Sequence, residues 1–134
     1  KFPSHMILSG DNAMYDRAVP GDNDSVLKQI RDLGEPAHAT RGHYGKPERS
    51  IMVLNPKNPD AIAKICQQAG QESYIHSDGT KHRMIYTNGD NVGYHHAGEG
   101  TTFHKVAPED YFTVAPNGTI FTHHFDFDKL VPNG

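Results

Sequence analysis

The stretch RSIMVLNPKNPDAIAKICQQAG, residues 49–70, sets a strand directly before a helix, and the neighbouring elements follow from that pair. Ile51, Met52, Val53 and Leu54 form an unbroken apolar run, which predicts a central, well-buried strand over Arg49 to Leu54. Asn58 supplies a cap and Pro59 the first helical position, where its missing N–H costs nothing. Ile62, Ile65, Cys66 and Ala69 then share one helical face, and Gly70 closes the helix.

Upstream, Val26, Leu27, Ile30 and Leu33 follow helical spacing over Asp24 to Leu33, with Asn23 or Asp24 as caps and Gly34 as the stop. Met6 to Ser9 predicts a short strand ending at Gly10, and Asp11 to Asp22 a long polar loop. Pro36 to Thr40 predicts a strand paired with the central one. Downstream, Glu72 to His76 and His82 to Thr87 flank Asp78-Gly79, a hairpin signal, and Asn88-Gly89 begins a further turn. Tyr111 to Val114 and Thr119 to Phe125 flank Pro116-Asn117-Gly118, a turn of the same kind. The order β, α, β, β, α, β followed by more strands predicts an α+β fold: a ferredoxin-like antiparallel sheet with two helices on one face plus additional C-terminal β-hairpin strands. The uncovered face of such a sheet calls for the extra strands or an oligomer partner.

A chain of 134 residues fits one domain. Its 13 basic and 16 acidic residues, net −3, form no block of like charge, which argues against a nucleic-acid partner. No apolar run approaches the ~20 residues that span a bilayer, which argues against a membrane partner. Cys66 is the one cysteine, which excludes an intrachain disulfide framework and fits a cytoplasmic setting. Lys1 to His5 reads as a vector-derived tag remnant, residues 6–128 as the domain, and Lys129 to Gly134 as a flexible tail.

Between the predicted strands lies Thr-Arg-Gly-His-Tyr-Gly-Lys-Pro-Glu-Arg-Ser, Thr40 to Ser50. Gly42 and Gly45 permit tight turning and Pro47 interrupts pairing, so Tyr44 and Glu48 project from an irregular segment. Glu48 suits a substrate ammonium through charge-assisted hydrogen bonds. Tyr44 offers a hydroxyl, or a ring face that favours positive charge. Ser50 and Arg41 are further substrate-binding candidates from this segment. Glu72, which follows the second helix, is a candidate for positioning substrate, and Tyr86 and Tyr94 for stacking on it. Phe103, Phe112, Phe121, Phe125 and Phe127 are expected in the core, as is an inert Cys66. The ten histidines read as a surface distribution. Adjacent pairs such as His95-His96 and His123-His124 point to opposite faces of a strand, and His38 with Thr40 lacks a second His-x-Thr triplet. Neither a metal nor a phosphate-cradling motif is present, so no cofactor is expected.

The order of Gly42, Tyr44-Gly45, Glu48 with Ser50, Gln71, Ile85-Tyr86 with Gly89, Gly93-Tyr94, Phe103 with Val106, and Phe112-Thr113 with Gly118 resembles the phage-encoded S-adenosylmethionine lyases, formerly called hydrolases. The resemblance runs from about Asp24 to Phe121. It implies cleavage of S-adenosylmethionine to 5'-methylthioadenosine and homoserine lactone, without cofactor, by a homotrimer holding substrate at subunit interfaces. It also implies a setting in the cytoplasm of an infected host, whose methyl donor is depleted. The segment around His95, His96 and Gly98 to Gly100, and the acidic Glu72, depart from the pattern and inherit no role. In this reading Glu48 and Tyr44 carry the catalysis, with Ser50, Arg41, Tyr86 and Tyr94 binding substrate, while Glu72 is a substrate-binding candidate from its place after the second helix alone. The alternatives are hydrolysis to homoserine, with Glu48 as base, and a non-catalytic ligand-binding module on the same fold.

Overall fold

The structure, a computed structural model, describes residues 2–9, 22–45 and 47–134. The loop expected over Asp11 to Asp22 lies, apart from Asp22, outside the described residues. The elements are β1 (His5–Ser9), α1 (Asp22–Asp32), β2 (Ala37–His43), β3 (Pro47–Leu54), α2 (Pro59–Gln68), β4 (Ser73–Ser77), β5 (Lys81–Tyr86), β6 (Tyr94–Glu99), β7 (Thr101–His104), β8 (Phe112–Val114), β9 (Ile120–His123) and β10 (Val131–Pro132).

β3 is central, as its apolar run predicts, pairing with β1 on one side and β2 on the other. Its register divides the chain into two cores. Ile51 and Val53 lie across from Leu8 and Met6, and this face packs under Val26 and Ile30 of α1 and Ile62 and Cys66 of α2. Met52 lies across from Ile7, which lies across from Ile75, and their face packs against Phe121, Ala115 and the half-buried Phe2 and Phe125. Asn58 caps α2 by accepting from the Ala61 N–H. Glu35 is buried, and its carboxylate accepts from the Lys57 and Asn58 N–H groups, tying the end of α1 to the start of α2.

The expected ferredoxin-like α+β arrangement with appended hairpins is not what forms. All ten strands belong to one antiparallel sheet in the order β10-β6-β5-β4-β1-β3-β2-β8-β9-β7, a curled half-barrel with only two short helices. The later strands extend both edges instead of stacking beside the sheet. β5, β6 and β10 continue past β4, while β8, β9 and β7 continue past β2. Turn signals identify neighbours in sequence, such as the β4–β5 hairpin at Asp78-Gly79, but not the edge that a later strand joins.

Curling brings the two arms together. β6 and β7 lie toward opposite ends of the strand order yet are joined through Gly100 alone, at φ 88°. The chain after β9 then crosses β6: the His124 N–H donates to the Gly100 carbonyl at 3.0 Å and the Asp126 N–H to the Ala97 carbonyl at 2.9 Å. Residues set outside the domain by the sequence reading are part of this closure. Phe2 packs edge-on against Phe121, and His5 is fully buried in β1. In the expected tail, Val131 and Pro132 pair with β6, and Asn133 bonds His95.

Where the arms meet, three buried histidines form a chain of hydrogen bonds whose direction is fixed by its ends. The Pro3 carbonyl only accepts, so His5 Nδ1 donates to it (2.7 Å), and His5 Nε2 accepts from His123 Nε2 (2.8 Å). His123 Nδ1 then accepts from the Thr101 hydroxyl (2.7 Å), while His82 Nε2 donates to the Gly100 carbonyl (3.0 Å) and His82 Nδ1 accepts from Ser77 (2.7 Å). Every ring is neutral in this arrangement. The surface distribution expected for the histidines therefore does not hold for His5, His82, His95, His96 and His123, all of which are buried.

Burial holds His5 at about 4 and His123 at about 2, and lowers His82, from an ordinary value of 6.5. The unfolded chain accordingly takes up protons that the fold refuses. Stability is fully present above about pH 6.5 and falls as the pH drops toward 4, by roughly 1.4 kcal/mol per pH unit for each histidine. Between pH 7.5 and 5 the loss expected from His5 and His123 together is about 4 kcal/mol, read as a shift of the urea midpoint. An unchanged midpoint would mean that these histidines take up protons as readily in the fold as in the unfolded chain.

Candidate functional site

The face of the sheet away from the helices carries the polar groups. On β3, Glu48 and Ser50 alternate with the outward Arg49 and are 6% and 1% exposed. Gly42 lies opposite Glu48 on β2. A side chain at Gly42 would meet the Phe112 carbonyl at 2.8 Å and the Tyr44 ring at 3.0 Å, so glycine is what lets the ring of Tyr44 fold back over the strand. Gly45, at φ 83°, turns the hairpin that carries it. The Tyr44 hydroxyl is hydrogen-bonded to Thr113 Oγ1 on β8. Burial, with the nearby Glu48 charge, pushes the Tyr44 phenol above its ordinary value and outweighs the opposing Thr113 bond. Tyr44 therefore stays protonated at neutral pH, and its ring forms part of the wall of the site.

Across from this group, Ser73 at the start of β4 pairs with Tyr86 at the end of β5, and Glu72 just precedes Ser73. Burial and the Glu72 charge together raise the Tyr86 phenol, against an opposing bond from Asn91. Between the two sides lies a cleft of about 230 Å³, with Ile7, Ile75 and Met84 as its apolar floor and Tyr111 and Phe127 at its rim. Tyr44, Glu48, Ser50, Glu72 and Tyr86, scattered over three predicted strands and the segment before the first of them, all line it. Ser50 Oγ is buried there with no hydrogen-bond partner among the described residues. A buried hydroxyl left unpaired is costly, and it faces the space a ligand would fill. No lysine, arginine or histidine lines the cleft among the described residues.

No family model, curated protein or solved structure matches the chain.

Two of the expected binding residues lie elsewhere. Arg41 alternates out of phase with Gly42, is exposed, and sits across from Arg49 and Val114 on the opposite face. Tyr94 begins β6 beside Pro132 and is exposed. Phe121 is in the core as expected, but Phe103 and Phe127 are 57% and 56% exposed. Phe127 follows the strap over β6, where period-two alternation no longer governs direction. Cys66 is buried, and burial pushes its thiol up to about 12, which leaves it inert at neutral pH. Gln71 is buried directly after α2, its side-chain oxygen accepting from Cys66 Sγ at 3.2 Å, a packing position outside the cleft. Tyr111 and Thr113 are among the site residues that the sequence did not single out for chemistry. Their roles depend on β8 joining β2, a pairing across a long intervening chain.

The described helices include none long and apolar enough to cross a membrane.

Proposed function

We propose that this chain cleaves S-adenosylmethionine to methylthioadenosine and homoserine lactone, with the substrate's own carboxylate as nucleophile. The observation that carries the reading is the convergence of Glu48, Ser50 and Tyr44 with Glu72 and Tyr86 around one cleft of apolar floor. Carboxylates and aromatic faces suit a ligand bearing an ammonium and a sulfonium. With no cationic side chain among the described lining residues, the substrate carboxylate would stay unpaired and nucleophilic.

Attack of a carboxylate oxygen on the carbon γ to it forms the lactone C–O bond. The C–S bond breaks and its electron pair passes to sulfur, leaving a neutral thioether. The step consumes one positive and one negative charge, so a weakly solvating floor formed by Ile7, Ile75 and Met84 favours it. The protein's part is to bend the methionine chain into reacting distance. Glu48 would hold the ammonium, Ser50 would donate to or accept from the bent chain, and Tyr44 would face the sulfonium. The cleft is smaller than the roughly 300 Å³ of ordinary ligand pockets, so the adenosine end would extend over the rim. In the homotrimer implied by the resemblance a neighbouring subunit would cover that rim, and light scattering reading a monomer would remove this part of the proposal. The setting we propose is a host cytoplasm depleted of its methyl donor during phage infection.

Incubation of the protein with S-adenosylmethionine, with early products resolved by chromatography, tests the reading. Methylthioadenosine with homoserine lactone is the expected result. Homoserine alone from the earliest times would indicate hydrolysis, and unchanged substrate that nevertheless binds would indicate a binding module.

A further inference from the structure

Tyr111 is held at φ 56°, a conformation that a bulky side chain adopts only under constraint. Elsewhere among the described residues the chain uses glycine or Asn55 at positive φ. Core packing does not explain the tyrosine, which is 55% exposed. Its carbonyl is fastened by the Thr122 hydroxyl, and its ring stands at the rim of the cleft, 6.2 Å from Tyr44 and tilted 65° to it. A strained backbone with little burial to offset it is the pattern of a ligand clamp.

We infer that Tyr111 is the specificity residue of this cleft: its ring completes, with Tyr44, an aromatic corner that selects a ligand carrying a positive charge over its neutral counterpart. The inference rests on the cleft being the ligand site proposed above, but not on any cleavage taking place. The rings of Tyr111 and Tyr44 meet edge to face at a steep angle, so a cationic centre seated on the face of one ring stands beside the other, with the charge of Glu48 close by. A thioether of the same shape would gain the contact area without the electrostatic attraction.

The test compares binding of sinefungin, in which a protonated amine replaces the sulfonium and no cleavage can occur, with binding of neutral S-adenosylhomocysteine, by calorimetry. The wild-type protein is expected to prefer the cation. Tyr111→Leu, which keeps apolar area but removes the ring, is expected to reduce that preference roughly three- to thirtyfold, while Tyr111→Phe keeps it. Tyr111→Gly is expected to raise the urea midpoint by removing the strain and to weaken the cation. A full preference in Tyr111→Leu, or a lowered midpoint in Tyr111→Gly, overturns the assignment even if wild-type protein cleaves S-adenosylmethionine. A preference lost in Tyr111→Leu, from a protein that cleaves nothing, supports Tyr111 and removes the lyase reading. A wild-type protein that binds neither probe removes both.

Discussion

Gly98→Ala is expected to lower the urea midpoint steeply. A Cβ at this position would stand 1.7 Å from the His124 carbonyl oxygen, 2.7 Å from its carbon and 2.8 Å from Phe125 Cα. All three are backbone atoms, so no change of rotamer relieves the overlap. The strap over β6 must lift, and the bonds from the Asp126 N–H to Ala97 and from the His124 N–H to Gly100 are lost with it. Phe125 then leaves the second core, and His123 its place beside His5 and His82. The combined overpacking and lost bonds amount to about 3–5 kcal/mol, a large part of the ~5–15 kcal/mol that holds a domain together. Gly118→Ala is the control: Gly118 is also a glycine, at φ 89°, but nothing lies within 4 Å of its would-be Cβ. It is expected to lose only about 1 kcal/mol, from backbone strain. Urea unfolding of both variants gives the comparison, and equal losses would mean that the closeness of strap and strand is unimportant.

Glu48→Gln is the substitution expected to alter function most. If Glu48 anchors the substrate ammonium, the amide keeps shape and hydrogen-bonding atoms but loses the charge, and binding weakens roughly 10²-fold. The fold is expected to persist, because glutamine keeps the size and shape of the glutamate side chain. Sinefungin affinity and turnover of S-adenosylmethionine, measured on the same protein, separate the two roles. Weak binding with residual turnover at high substrate supports the anchor. Intact binding with abolished turnover would make Glu48 a base and shift the reaction to hydrolysis. The same measurement on Ser50→Ala asks whether the unpaired hydroxyl belongs to the ligand.

How much of this was legible before folding varies from element to element. Helix α2 was readable from Asn58, Pro59 and the Ile62/Cys66 face, because capping and periodicity act within a few residues. The central position of β3 was readable from an apolar run that only a strand buried on both faces tolerates. The closeness of Tyr44, Glu48 and Ser50 was readable because they are near in sequence, but the irregular segment expected there is a regular hairpin: Pro47 pairs with His43 and Glu48 with Gly42, so strand pairing and not irregularity sets their directions. Arg41 was misplaced by one step of strand alternation, which turns a side chain to the other face. Phe127, expected in the core, is exposed because it lies past the end of β9, where strand alternation no longer sets a side chain's direction.

Local chemistry in the sequence thus determined the helices, the hairpins and most of one wall of the cleft, since each depends on residues close along the chain. Tertiary structure decided the rest. The direction in which β5–β6 and β8–β9 extend the sheet, the closure through Gly98 and Gly100, the burial of His5 beside His82 and His123, and the meeting of Tyr111 with Tyr44 all arise between distant segments. Such pairings are chosen by how the whole sheet buries its second face, a choice that no short stretch of residues encodes.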